Sequence, residues 1–256
     1  GESIDVTAKG VKNAYGNAGN DTLTGNANAN WLVGGQGSDT FNAGAGDDML
    51  IIDAPDLQQN IHAGAGFDMA QVVGSSGVTL NLAQAEIEVV VGGVGNDILI
   101  GGGRSSVFIR ANDGDDIVIG GAANDALSGE NGNDVIDGGA GNDILDGGDG
   151  IDTASYQSAS SGVTVNLIST GSNEDTFLSV ENITGSNYAD TLIGDTHSNV
   201  LIGLDGNDMM EGYGGGDTFD GRDGIDTVSY AWVNPSSGVL ANLADQTANA
   251  GGATGD

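Results

Sequence analysis

The chain has 256 residues, and its 37 acidic side chains against 5 basic ones give a formal charge of −32. Lys9, Lys12, Arg104, Arg110 and Arg222 are too few and too scattered to form a basic patch, which argues against nucleic acid and anionic membrane as partners. Cysteine is absent and no apolar run approaches 18 residues, so disulfides, thiolate metal sites and a membrane-spanning helix are excluded.

Such acidity ordinarily keeps a chain expanded. Here, however, 38% of residues are apolar, and they fall on a strict period. A nine-residue unit, G-G-x-G-x-D-x-U-x with U apolar, recurs seventeen times, with varying fidelity. After a lead-in over residues 1–15, four units run from Gly16 to Ile51, and a lone unit covers Ala63 to Gln71. Seven more run from Gly92 to Ser155, with Arg110 read as one extra residue between the second and third, and five run from Gly185 to Ser229. The sixth position is Asp in fourteen units: Asp21, Asp39, Asp48, Asp68, Asp97, Asp116, Asp125, Asp134, Asp143, Asp152, Asp190, Asp208, Asp217 and Asp226. Asn30, Ser106 and Asn199 are the exceptions. The eighth position is large and apolar in fifteen, with Ala70 and Ala154 the two small ones.

A short fixed period means stacked units. Glycine at the first, second and fourth positions suits a tight turn with positive φ and close backbone approach. The last three residues then make a strand about 10 Å long, with U pointing inward. Two strands and two turns close one 18-residue coil, and stacked coils form parallel sheets. Turns two units apart lie above one another, so their Asp residues form a ladder. At an effective dielectric near 20, bare carboxylates about 5 Å apart repel by roughly 3 kcal/mol. Cations are therefore needed, and hard oxygen donors select calcium over zinc or copper.

Between the arrays, Gly77–Leu82, Gly162–Leu167 and Gly238–Leu243 read as alternating strands after Ser-Gly turns. The apolar segments Ile87–Val91 and Phe177–Ile183 lead into the next array. These longer stretches are expected to widen the roll or cap it. Three modules result, over residues 16–82, 83–167 and 168–256, the last expected to be cut short at its C-terminal end. The missing initiator Met suggests a fragment of a longer parent.

Other chemistry is sparse. The fifth-position Asn residues (Asn20, Asn96, Asn124, Asn133, Asn142 and Asn207) are expected to serve left-handed turn geometry. His62 and His197 sit in or beside repeat turns and read as surface residues, so no Ser/His/Asp arrangement can be argued. Trp31 and Trp232 read as contact or capping residues, and Arg104, Arg110 and Arg222 as partners for the acidic surface.

These units resemble the repeats of the RTX (repeats-in-toxin), hemolysin-type family, whose motif is the nonapeptide above. The resemblance implies an all-β parallel β-roll with calcium held between successive turns. Its ligands would be the sixth-position Asp residues and turn carbonyls, for which Gly34, Gly44, Gly92, Gly120, Gly129, Gly138, Gly147, Gly203, Gly212 and Gly221 stand. It also implies a secreted bacterial protein, exported by type I secretion machinery and folding on calcium outside the cell. Units two apart number two, five and three in the successive arrays, so about seven to ten ions are expected. The expected function is thus a monomeric, non-enzymatic calcium-binding module that assists export. The alternative is an adhesin-type or substrate-binding module for glycan or ice. Against that alternative, a polyuronate needs a basic groove, and ice binding needs a regular outward row.

Overall fold

Each nonapeptide forms a short strand and a turn, and its nearest neighbour across the stack is the unit two further on. A computed structural model of the chain describes residues 1–6, 11–56, 58–103, 105–168 and 175–230. It is an all-β parallel solenoid of about 12 turns. Its helical content is the four-residue α-helix Leu82–Ala85 and the 3-10 turn Gln58–Asn60, among the described residues. Among the described residues no helix is long and apolar enough to cross a membrane. The third module's expected strand Gly238–Leu243, with Trp232 and Arg104, lies outside the described residues.

Four parallel sheets carry the strands. The first contains Ser3–Asp5, Thr22–Asn26, Thr40–Ala45 and Ile61–Ala65. The second runs through nine strands: Asn13–Tyr15, Trp31–Val33, Met49–Asp53, Met69–Val73, Val89–Val91, Phe108–Asp113, Ala126–Asn131, Ile144–Asp149 and Thr176–Leu178. The third has eight: Thr79–Asn81, Ile98–Ile100, Ile117–Gly121, Val135–Gly139, Thr153–Ser155, Asn182–Thr184, Val200–Ile202 and Thr218–Asp220. The fourth holds Thr164–Asn166, Thr191–Ile193, Met209–Glu211 and Thr227–Val228. Within arrays the register is 18 residues, as in Thr22 opposite Thr40, Val135 opposite Ile117 and Met209 opposite Thr191, and one residue more where Ile98 stands opposite Ile117.

The sheets overlap along the stack. The first sheet ends where the third begins while the second continues past them, and later the second ends where the fourth begins while the third continues. Strand pairing therefore crosses both junctions without a break. The boundary placed at residues 82 and 83 falls inside Leu82–Ala85, and that at 167 and 168 follows the first strand of the fourth sheet. The junction strands were expected to be longer and to widen or cap the roll, but Val89–Val91 and Asn182–Thr184 continue the sheets at the length of the shorter repeat strands. Val89–Val91 pairs on both edges, as does Asn182–Thr184, and each is only three residues long.

Period two governs what is buried, and it reaches further than the eighth position. In Thr22–Asn26 and Met49–Asp53 the buried residues are Leu23 with Gly25 and Leu50 with Ile52. The eighth-position column (Leu23, Leu32, Phe41, Leu50, Leu99, Val118, Leu127, Ile136, Leu145, Leu192 and Leu201) forms a continuous apolar core. The sixth position, two residues earlier, has the same parity and is also buried: Asp39, Asp68 and Asp152 are 0% exposed. Asp thus points into the stack rather than lining a solvated face. Outward positions vary in chemistry, and Trp31, at 48% exposure, stands in a row with Met49 and Met69.

One register expectation is corrected. The second unit of the middle array was expected to bury Phe108, leaving Arg110 as an extra residue. Instead Ile109 is fully buried opposite Leu127, Phe108 is 48% exposed, and Arg110 lies in the strand opposite Ser128. The sixth-position place falls on Val107, and Ser106 is exposed in the turn. An extra residue inside the strand would force a bulge and break the ladder. Placed in the glycine-rich turn after Gly101, it disturbs no sheet hydrogen bond.

Truncation tests this register. In saturating calcium, Ile109→Ala should cost about 2–4 kcal/mol in denaturant unfolding because it empties a filled core position. Phe108→Ala should stay within about 0.5 kcal/mol. The reverse order would restore the original register.

Candidate metal centre

Because the sixth-position Asp shares the parity of the core residues, its carboxylate is delivered to the interior edge of the turn. There one oxygen is engaged. In all fourteen units Oδ1 accepts the backbone N–H of the residue one coil earlier, at 2.5 to 3.1 Å. Asp134 thus accepts from Asp116 and itself donates, through its N–H, to Asp152, both at 2.8 Å. The carboxylates rivet successive coils together by side-chain-to-backbone bonds.

The other oxygen is not engaged. In eleven units, those of Asp21, Asp39, Asp48, Asp68, Asp116, Asp125, Asp134, Asp143, Asp152, Asp208 and Asp226, Oδ2 is buried with no hydrogen-bond partner among the described residues. A buried anionic oxygen without a partner is costly, and a positive charge is what removes the cost. The remaining three differ. Asp97 Oδ2 accepts from Gly93 N–H at 2.9 Å, Asp190 Oδ2 from Ser186 N–H at 2.6 Å, and Asp217 is only half-buried.

The predicted glycines lie at this oxygen, with one exception. A Cβ built on Gly34, Gly92, Gly120, Gly129, Gly138, Gly147, Gly203, Gly212 or Gly221 would run into Oδ2 of that unit's own Asp. The first position is therefore small for steric reasons, at ordinary φ. Gly44 is not at the site: it is the second residue of a unit opening with Ala43, and its Cβ would meet the Asn26 backbone. The second and fourth positions are where left-handed backbone occurs, as at Glu130 with φ 76° and Gly132 with φ 142°.

The two Asn exceptions close their turns without a charge. Asn30 Oδ1 accepts from Asn26 N–H at 2.7 Å while Nδ2 donates to Lys12 O at 3.2 Å. Asn199 repeats this with Asp195 N–H at 2.8 Å and Glu181 O at 2.7 Å. The amide satisfies both ends internally, so these two turns leave no orphaned oxygen at that side chain.

Four carboxylates outside the sixth-position column were not singled out from the sequence. Asp56, Glu88, Asp175 and Glu181 accept the N–H of Asp39, Asp68, Asp143 and Asp152, at 2.7 to 2.8 Å. They continue the ladder through the junctions, where spacings of 17, 20, 32 and 29 residues hide them from any nine-residue template. A carboxylate just before a junction strand was the available signal, as in Glu88 before Val89–Val91.

The fifth-position Asn residues do not serve left-handed turns, for none of them has positive φ. They form a second ladder of opposite sense. Asn20, Asn96, Asn124, Asn133 and Asn207 each accept, through Oδ1, the N–H of the fifth-position residue one coil later. His62 and His197 are exposed, the latter paired with Asp195 at 2.8 Å. Arg110 and Arg222 pair with Glu130 and Asp220 on the surface, contacts worth about 0–1 kcal/mol.

Electrostatics agree with the hydrogen-bond pattern. Burial, reinforced by neighbouring carboxylates, pushes Asp48, Asp116, Asp134, Asp152 and Asp208 up to about 6 and Asp143 up to about 7. Burial also raises Asp39, Asp68, Asp97, Asp125 and Asp217. No three acidic or histidine side chains converge on one point among the described residues. A hard cation here would take Oδ2 and complete its shell with turn carbonyls, an all-oxygen set that suits calcium. The donor chemistry fits that ion.

Two measurements follow. Without metal, carboxyls whose folded values lie near 6 to 7 and whose ordinary value is 3.8 favour the stack when protonated. That contribution is complete below about pH 4 and lost as pH rises through 6 to 7. In EDTA, circular dichroism should show strand forming as pH falls from 7.5, with a midpoint near 6 rather than near 4. Separately, Gly129→Ala should lower calcium affinity and stability together, because its Cβ would meet Asp134 Oδ2. Unchanged calcium titrations would contradict that placement.

The model of the RTX calcium-binding nonapeptide repeat, four copies long, matches residues 15–50, 85–103, 91–127, 108–136, 119–154, 179–210 and 193–228. No curated protein gives a significant match. With the model matching more than half of its length, and with a buried, half-satisfied Asp recurring through the stack, the chain belongs to the RTX family of calcium-binding nonapeptide repeats.

Proposed function

We propose that this calcium-binding repeat module is a folding switch of a larger secreted bacterial protein. In this reading it is expanded where calcium is scarce and becomes a rigid stack outside the cell. The observation that carries it is the set of eleven buried Oδ2 atoms with no partner among the described residues. Their cost is incurred only when the coils stack, so ion binding and folding become one equilibrium. About seven to ten ions at affinities on the order of 0.1 to 1 mM suit an extracellular module.

Charge supports the same reading. At −32, two charges per ion, even ten ions would leave the module acidic, which favours a soluble monomer. An expanded, cysteine-free chain suits type I export, and the family is characteristic of secreted proteins. The reading gives the module no catalytic role. Its buried repeat carboxylates are each tied to a backbone N–H group one coil earlier. The glycan- or ice-binding alternative is less favoured: Arg110 and Arg222 are already paired, and the outward row through Trp31, Met49, Met69, Val89 and Phe108 is apolar, with neither the basic groove nor the polar Thr or Asn row that those ligands need.

Circular dichroism at pH 7.5 tests the switch. Excess EDTA should abolish the strand signal and millimolar calcium restore it. Strand content that is unchanged in EDTA would contradict the proposal.

A further inference from the structure

The first column of carboxylates does not stop at the last repeat of its array. Asp39 belongs to the third unit, and the matched repeats of the first array end at residue 50. Beyond them, the strand Met49–Asp53 runs into a turn closed by Asp56 N–H donating to Asp53 O at 3.0 Å. The Asp56 carboxylate then bridges two backbones. Oδ1 accepts Asp39 N–H at 2.7 Å and Oδ2 accepts Asp53 N–H at 2.9 Å. Both of its oxygens are thereby engaged, and residues 39 and 53 are drawn to the same carboxylate.

What remains there is a pair of unpaired anionic oxygens. Asp39 is 0% exposed, and its Oδ2 has no hydrogen-bond partner among the described residues. Asp53 Oδ1 is likewise buried and without a partner among them. The two carboxylates repel each other, and both also act on Asp56. Among the described residues the other junctions lack this combination. Near Asp143 and Asp175 the additional buried carboxylate, Asp137, already accepts Gly139 N–H at 3.0 Å. Glu88 and Glu181 continue the ladder with no second orphaned oxygen from outside the repeats among the described residues.

We propose that Asp39 Oδ2 and Asp53 Oδ1 together hold one divalent cation, calcium by its preference for oxygen, at the end of the first column. Asp56 is the positioning residue that fixes both backbones. The site combines a repeat Asp with one that no nonapeptide contains, and backbone carbonyls supply the remaining donors, since no third acidic or histidine side chain converges there among the described residues. It closes a column that would otherwise end on an uncompensated buried charge. This deepens the proposed function and rests on it, in that calcium must reach the folded chain.

Crystals of the full chain grown in millimolar calcium test it through anomalous difference density. The expected result is a peak about 2.3 to 2.6 Å from both Asp39 Oδ2 and Asp53 Oδ1. In Asp53→Asn that peak should vanish while peaks at the turns of Asp116 and Asp134 persist, which also shows that the variant folds. Peaks at the repeat turns with none at Asp53, a water there without anomalous signal, or a peak that survives Asp53→Asn would each overturn this site and leave the folding switch standing. No anomalous peak anywhere would overturn both.

Discussion

An acid placed two residues before an inward-facing apolar side chain must itself face inward, and this parity shapes the whole molecule. One carboxylate oxygen finds a backbone N–H in the coil before it, as Asp134 does on Asp116. The second finds nothing and is sealed from water. Eleven of the fourteen repeat Asp residues share this half-satisfied arrangement. The apolar column of Leu, Ile, Val and Phe favours stacking, while the stranded oxygens and their mutual repulsion oppose it. A cation that binds those oxygens reverses the second term and leaves the first intact.

The ladder tolerates interruption because its parts are interchangeable in a physical sense. Asp56, Glu88, Asp175 and Glu181 show that the acceptor need not come from a nonapeptide, only from a carboxylate that reaches the same N–H. Asn30 and Asn199 show that a turn can also close with a neutral amide, which brings its own donor. An added residue is absorbed in the turn after Gly101, where it breaks no strand pairing. These substitutions keep the second and third sheets continuous across junctions that look like module ends in the sequence.

Much of this was legible in the chain itself. The 18-residue coil, the parallel sheets, the inward eighth position and the acidic column all follow from two positions held on one period. What escaped has definite causes. Phe108 was read as the core residue because counting places it eighth, but counting cannot say whether an insertion sits in a strand or in the turn before it. The fifth-position Asn residues were assigned to turn geometry, since Asn favours that conformation locally; their bonds to the next coil depend on stacking, which a single unit does not contain. The burial of the Asp column was implicit in the alternation yet masked by the habit of placing charges outside. The junction acids were invisible because their separations follow loop lengths, not the repeat.

Amide hydrogen exchange at pH 7.5 probes the central claim most directly, because the sixth-position N–H groups of Asp97, Asp116 and Asp134 are each bonded only through the carboxylate ladder. With millimolar calcium these amides should be strongly protected, and in EDTA they should exchange at the rate of an unstructured chain. Equal protection in both conditions would show that the stack bears its buried acids without a cation, and the account would be wrong.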